Sequence, residues 1–279
     1  MSVAARSLLA EATERLSVAG VDSPRVDAEL LLAALLDRPR GALLTLDTVP
    51  DSVARRFDEW VTRRVRREPL QHITGRAPFR HLVLDVGPGV FVPRPETELL
   101  VDAVLPHLSG LEAPVAVDLC AGSGALGLAI ADEVPAARVL AVERSGAAAR
   151  WLTGNAAGTS VRVLVGDIRD PELLRSMDGR ADAVVCNPPY VPLPTDVAPE
   201  VLADPGDAVF AGADGLDLMS TVVTRAAALL RPGGILAVEH DDTQGEAVPG
   251  LLEADGRWTR IADHDDLTGR SRYSTARRS

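Results

Sequence analysis

Behind about residue 94 of this 279-residue chain, short apolar runs recur at regular intervals: PVAVDLC (114–120), RVLAVE (138–143), VRVLV (161–165), ADAVVC (181–186) and GILAVEH (234–240). Ala- and Leu-rich segments with helical spacing lie between most of them. Strand–helix alternation of this kind folds as a mostly parallel sheet with helices on both faces, so the predicted class is α/β, a Rossmann-like open sheet. Two last runs, RWTRIAD and RYSTARR, follow one another across a short loop and predict an antiparallel pair at the end. Aromatic residues make up only 3% of the chain, so Ala, Leu and Val must fill the core.

Ahead of the sheet the period changes. Residues 1–72 read as a bundle of short helices. Leu8, Leu9, Ala12 and Leu16 share one stripe that stops near Gly20. Ser23 and Pro24 start a second helix with Leu30, Leu31, Ala34 and Leu35 as its apolar face. Val53, Phe57, Trp60, Val61 and Val65 mark a third. Residues 73–93 alternate apolar and polar around Gly87-Pro88-Gly89 and predict a β-hairpin linker, which leaves 94–279 as the sheet domain. The formal net charge is −11, which argues against broad non-specific binding to nucleic acid. The basic run RRVRRE (63–68) reads as a solvated helix face. No apolar stretch is long enough to span a membrane, and the N-terminus lacks a secretory pattern. Two cysteines and five scattered histidines predict a reduced, cytoplasmic protein without a structural metal, expected to be a monomer.

In open α/β sheets ligands sit at the carboxyl ends of the strands. The first strand leads into DLCAGSGALG, Asp118 to Gly127. Gly122 and Gly124 permit a tight turn and close approach of a ligand to the backbone, and Asp118 is placed to accept from a ligand ammonium or to order the turn. Glu143 ends the second strand, where an acid can accept both ribose hydroxyls of a nucleoside. At the third strand end, Asp167 can accept from an adenine amino group and Ile168 can cover the ring. The string GSGALG also fits a dinucleotide fingerprint, so a nicotinamide cofactor stays open at this point.

The fourth strand runs into NPPY, Asn187, Pro188, Pro189 and Tyr190. Two prolines remove two backbone N–H groups and leave carbonyl oxygens on display. The Asn187 side-chain oxygen and the Pro188 carbonyl can grip a planar –NH2 by its hydrogens, with Tyr190 stacked on its plane. An amide or aryl amine nitrogen is a poor nucleophile because its lone pair is delocalised. Acceptors on its hydrogens return density to nitrogen as positive charge develops in methyl transfer.

Over nearly its whole length the chain resembles the peptide chain release factor glutamine N5-methyltransferase family. The matching stretches are REPLQHITG (67–75), FVPRPETELLV (91–101), DLCAGSGALGLAIA (118–131), GDI (166–168), CNPPYVP (186–192), DGLDLM (214–219), LLRPGGILAVEHDDTQGEAV (229–248) and DLTGRSRY (266–273). The resemblance implies a class I S-adenosylmethionine-dependent methyltransferase sheet. The methyl acceptor would be the Gln amide of the Gly-Gly-Gln loop of class 1 release factors, docked by the helical domain, with no direct nucleic-acid contact. By position the cofactor contacts fall on Asp118, Cys120, Ala121, Gly122, Ser123, Gly124, Glu143, Asp167, Ile168 and Asn187, and the substrate clamp on Asn187, Pro188, Pro189 and Tyr190. Two positions depart from the family pattern. It usually has Gly-Thr-Gly-Ser-Gly where this chain has Cys120-Ala121-Gly122-Ser123-Gly124, so the backbone at Cys120 must accept a Cβ; and Ile168 stands where relatives often carry an aromatic ring. Cys120 and Cys186 end strands that are neighbours in such a fold, so their thiols are expected to lie close and reduced. Two other readings remain: an N6-adenine or other exocyclic-amine methyltransferase acting on nucleic acid, and a nucleoside-binding adaptor without turnover.

Overall fold

The computed structural model describes residues 2–279 and separates into two compact units. One runs through Arg76 and includes Val197–Ala203; the other comprises Ala77–Asp196 and Asp204–Ser279.

The first unit contains β1 (Ser2–Ala4), α1 (Ala5–Val18), α2 (Pro24–Leu35), β2 (Thr48–Pro50), α3 (Asp51–Val65) and α4 (Leu70–Thr74). Leu16, Leu31, Leu32, Phe57 and Val61 form its core, and the burial of these apolar stripes rather than propensity holds the short helices. The buried face of α2 is Ala28, Leu31, Leu32 and Ala33; Ala34, expected inside, is exposed. The antiparallel pair β1–β2 has no counterpart in the helical reading, because three-residue strands carry too few side chains to show a period of two. The basic run is not a solvated face. Arg64 is buried, with its guanidinium 2.7 Å from both Asp27 and Glu200. Arg67 makes a two-pronged pair with Glu200, at 2.6 and 2.8 Å. Burial raises the Glu200 carboxyl, but these arginine hydrogen bonds outweigh it and hold the group at about 2. Val197–Ala203 is thereby tied to α3 and the turn after it.

The second unit opens with a hairpin, β3 (Arg76–Phe79) and β4 (Leu82–Asp85). The hairpin turn lies at Arg80-His81, not at Gly87–Gly89. Arg80 takes φ +51° there, pinned by Asp102 at 2.9 Å and by Glu133. Then come α5 (Glu98–Leu108), β5 (Val115–Leu119), α6 (Ala125–Glu133), β6 (Arg138–Glu143), α7 (Gly146–Ala156), β7 (Arg162–Val165) and β8 (Ala181–Cys186). The remainder is α8 (Gly206–Val209), α9 (Met219–Leu229), β9 (Leu230–Glu239), α10 (Ala247–Asp255), β10 (Trp258–Asp265) and β11 (Ser271–Arg278).

Seven strands form one sheet in the order β7-β6-β5-β8-β9-β11-β10. Only β11 runs against the rest, pairing antiparallel with both β9 and β10. Side chains alternate between two cores. Ala183 and Val185 of β8, with Ile235 and Ala237 of β9, pack against α5, α6 and α7. Val184, Cys186, Leu236 and Val238 pack against α9 and α10. A strand buried on both faces reads as a continuous apolar run, which is why these strands stand out in the sequence. The order reverses beside β5, and the loops leaving β5, β6, β7 and β8 converge at that switch point.

Candidate active site

The turn after β5 is built on unusual backbone. Cys120, Gly122 and Gly124 all have positive φ, at +62°, +57° and +94°. At Cys120 a side chain therefore occupies the left-handed region that favours glycine. The turn is held by hydrogen bonds: Ala121 N–H donates to the Val142 carbonyl at 2.9 Å, and Gly124 N–H to the Ala121 carbonyl at 2.7 Å. A Cβ on Gly124 would stand 2.7 Å from Leu152 Cδ1, so this glycine is packed into the core. A Cβ on Gly122 would meet nothing within 4 Å, because Gly122 faces a cleft.

That cleft, about 280 Å³, lies wholly within the second unit. Of the residues expected to hold a nucleoside, Asp118, Cys120, Ala121, Gly122, Ser123, Glu143, Asp167, Ile168 and Asn187 line it. Gly124 does not; it caps α6 behind the turn. Pro189 also lines the cleft, whereas Pro188 is buried and neither it nor Tyr190 is part of the wall.

Two carboxylates dominate the electrostatics. Asp118 is 1% exposed and accepts from Gly127 N–H through Oδ2 at 2.9 Å, while its buried Oδ1 has no partner. Burial pushes the Asp118 carboxyl up to about 8; the Gly127 bond opposes this and the nearby Glu143 adds to it. Glu143 accepts from Gly122 N–H at 2.8 Å and Ser145 N–H at 2.6 Å, one on each oxygen, yet burial still raises it. Each Glu143 oxygen keeps a lone pair for a ligand hydroxyl. Asp167 accepts from Arg169 N–H at 2.9 Å, and Ile168 is buried against the core that also holds Val117 and Leu119. Cys120 and Cys186 are both free; Cys186 stands in register with Leu119, next to Cys120, and burial, then the neighbouring Cys120, pushes the Cys186 thiol up. Among the described residues no His, Cys, Asp and Glu cluster is gathered for a metal ion. No helix among them is long and apolar enough to cross a membrane.

The NPPY segment is fixed from both ends. Asn187 Nδ2 donates to Thr97 Oγ1 at 3.0 Å, which leaves its Oδ1 free of that partner. Tyr190 O–H donates to Glu239 Oε1 at 2.9 Å, and Gln244 Nε2 donates to the Tyr190 carbonyl at 3.0 Å. Gly215 takes φ +75°, and a Cβ there would also collide with the Tyr190 carbonyl, so both backbone and space call for glycine. Downstream, Leu193 N–H donates to the Gly212 carbonyl at 2.8 Å and Val191 pairs with Phe210, so the loop is a stitched structure. Thr97, Gly215, Glu239 and Gln244 were not singled out from sequence. All four fall in stretches shared with the family, FVPRPETE, DGLDLM and AVEHDDTQ, and that sharing was the signal available.

The PrmC N-terminal domain model matches residues 7–75, and the methyltransferase small domain model matches residues 81–203. A release factor glutamine methyltransferase of Streptomyces coelicolor is 50% identical, over 97% of each chain. Another, of Mycolicibacterium smegmatis, is 47% identical over 98% of this chain and 97% of that one. A 4-amino-L-phenylalanine/4-methylamino-L-phenylalanine methyltransferase of Streptomyces pristinaespiralis is 44% identical over 94% of this chain and 92% of its own. Among solved structures, a 16S rRNA N2 methyltransferase of Thermus thermophilus, solved with AdoMet and guanosine, has the same sheet architecture. Its TM-score is 0.53 and its identity 24%, over 73% of this chain and 50% of that one. With relatives at this identity over nearly the whole chain, and family models that match residues 7–75 and 81–203, the chain belongs to the release factor glutamine methyltransferase family.

Proposed function

We propose that this protein transfers a methyl group from S-adenosylmethionine to the side-chain amide nitrogen of the Gln in the Gly-Gly-Gln loop of class 1 release factors. One observation carries the reading. Asn187, anchored through its nitrogen on Thr97, and the acid-lined turn of Asp118, Gly122 and Glu143 face the same cleft.

The cofactor fits the residues present. The unpartnered, buried Asp118 Oδ1 suits an ammonium, Glu143 suits a ribose diol, and the open face of Gly122 allows close backbone approach. Cys120, Ala121 and Ser123 continue that wall; Asp167 and Ile168 take the adenine edge and face, and Gly124 supports the turn from behind. When bound, the cofactor supplies an electrophilic methyl on a sulfonium. The chain's own task is to hold the amide nitrogen in line and to accept from its hydrogens. Asn187 Oδ1 and the Pro188 carbonyl are assigned as acceptors, with Pro189 and Tyr190 completing the turn. Their help grows as nitrogen becomes cationic, and the product then loses one proton to water, so no strong general base is required.

Mass spectrometry of release factor after reaction should show one added methyl on the Gly-Gly-Gln peptide. Asn187→Ala should lower kcat by about 10²–10³ while leaving cofactor affinity nearly unchanged. Undiminished turnover would remove Asn187 from the clamp. A second reading follows from the Streptomyces pristinaespiralis relative: a small arylamine presents the same –NH2 geometry as a carboxamide. Offering release factor and 4-amino-L-phenylalanine side by side separates the two. Nucleic acid is the disfavoured acceptor, since net charge is −11 and Arg63, Arg64 and Arg67 of the basic run are paired with Asp27, Glu68 and Glu200.

A further inference from the structure

Two prolines in a row lock two φ angles, so NPPY behaves as a stiff arm, and the Pro188 carbonyl points where the ends of that arm are mounted. The near end is held by Asn187 on Thr97 at 3.0 Å. At the far end the Tyr190 hydroxyl, joined to Glu239 Oε1 at 2.9 Å, fixes the ring but not the carbonyl. The carbonyl is held by Gln244, which is 3% exposed. Gln244 Nε2 gives one hydrogen to the Tyr190 carbonyl at 3.0 Å and the other to the Asp214 carbonyl at 2.9 Å. Its Oε1 accepts from Asp241 N–H at 2.9 Å. All three partners are backbone groups whose donor or acceptor character cannot change, so the amide has a single orientation. Flipped, it would set its oxygen against two carbonyls and its nitrogen against an N–H. One side chain thus joins the clamp, the loop around Gly215 and the turn after β9. A Cβ on Gly215 would strike both the Tyr190 carbonyl and Gln244 Nε2, so the junction is closed to any larger residue there.

We infer that Gln244 is the positioning residue that sets the far end of the NPPY arm, and with it the Pro188 carbonyl, against the substrate –NH2. It does not line the cleft and touches no reacting atom. Its effect is on orientation, so it acts on kcat, while the cofactor wall of Asp118, Gly122 and Glu143 stands on other elements. This rests on the methyl-transfer reading above, and the test has one arm that needs no substrate.

Tyr190-Val191 is the only Tyr-Val pair in the chain, so enzyme carrying 13C-carbonyl tyrosine and 15N-valine gives a single carbonyl-correlated amide signal, that of the Tyr190 carbonyl. Gln244→Met, which keeps the reach of the side chain and removes its donors, should displace that signal. With release factor as substrate it should lose about tenfold or more in kcat, with S-adenosylmethionine affinity within about twofold. Gln244→Glu keeps an acceptor for Asp241 N–H but sets a carboxyl against two carbonyls; protonated it returns one donor, ionised none. The ratio of wild-type to Gln244→Glu kcat should therefore rise with pH, together with a shift of the Tyr190 signal in the variant. Titratable groups common to both proteins cancel in that ratio. Asp241→Ala removes the side-chain cap on Thr243 N–H and leaves Gln244 its three partners, so it should lower Tm with kcat within about twofold of wild type. A Tyr190 signal indifferent to Gln244→Met, a signal that moves with no change in kcat, or an Asp241→Ala variant that loses as much rate as Gln244→Met would overturn the inference. Failure of the wild-type enzyme to methylate release factor would overturn the substrate assignment instead, and the carbonyl signal, with the same rate comparison on 4-amino-L-phenylalanine, would still decide Gln244.

Discussion

Gly122 and Gly124 stand two residues apart in one turn, both with positive φ, and alanine at the two should fail in different ways. At Gly124 (φ +94°) a Cβ would lie 2.7 Å from Leu152 Cδ1 and 2.9 Å from Leu128 Cδ1. Left-handed backbone costs a residue with a Cβ about 1–2 kcal/mol, and overpacking a core adds about 1–3 kcal/mol. The loss of glycine freedom in the unfolded chain offsets about 0.5–1 kcal/mol. The net for Gly124→Ala is a destabilisation of about 3 kcal/mol, or roughly 10 °C in Tm for a unit of this size. At Gly122 (φ +57°) nothing lies within 4 Å, so only the backbone term remains and Gly122→Ala should cost about 1 kcal/mol, roughly 2–4 °C. The new methyl would instead occupy the cleft where a ligand meets the backbone, so S-adenosylmethionine affinity should fall on the order of tenfold or more. Thermal unfolding paired with calorimetric titration of S-adenosylmethionine measures both effects. A Gly122→Ala protein that unfolds as early as Gly124→Ala, or that binds the cofactor like wild type, would refute this assignment of the two glycines.

Cys120→Gly should relieve left-handed strain of about 1–2 kcal/mol and return nearly as much through unfolded-state freedom and lost contact with the core, leaving Tm within roughly 4 °C and cofactor affinity intact; a loss of binding would mean that the Cys120 side chain contacts the ligand directly. The Asp118 carboxyl is raised by burial to about 8 in the folded protein, against about 3.9 when unfolded. The folded state thus binds the extra proton between those values, so this contribution to stability is complete below about pH 4 and is lost as pH rises through about 8. Differential scanning calorimetry from pH 5 to 9 should show a falling Tm that Asp118→Asn flattens; parallel curves would show that Asp118 does not carry the proton.

The sheet was legible because strands buried on both faces leave unbroken apolar runs that no solvent-facing helix would tolerate. The hairpin was legible as a hairpin but not in its turn. Gly87-Pro88-Gly89 looks like a reversal, yet Gly87 is small because Trp151 packs against it, and the reversal sits at Arg80, which no turn propensity favours. Arg80 holds that conformation through acids on α5 and α6, a condition set by tertiary contact. The same distinction runs through the site. Asn187 and Glu143 are legible because each sits at a strand end, where chain position alone fixes the direction it faces. The Arg64–Glu200 pair, the Asn187–Thr97 bond and the Tyr190–Glu239 bond join residues far apart in sequence, and single-chain spacing holds no trace of which donor meets which acceptor.

The string GSGALG illustrates the limit most sharply, since it spells a dinucleotide fingerprint at Gly122, Gly124 and Gly127. A pyrophosphate held at such a turn needs free backbone N–H groups and the positive end of a helix. Here the Gly122 amide donates to Glu143, the Gly124 amide to the Ala121 carbonyl and the Gly127 amide to Asp118. All three glycine donors are committed, two of them to carboxylates that share the cleft wall. A doubly anionic bridge would meet those acids with the donors already satisfied. A cationic ligand would meet the reverse situation: on the reading proposed above, Asp118, raised by burial, would give up its proton to become the counter-charge for an ammonium. The same glycine spacing therefore serves opposite charges, and the partners of its three N–H groups decide between them.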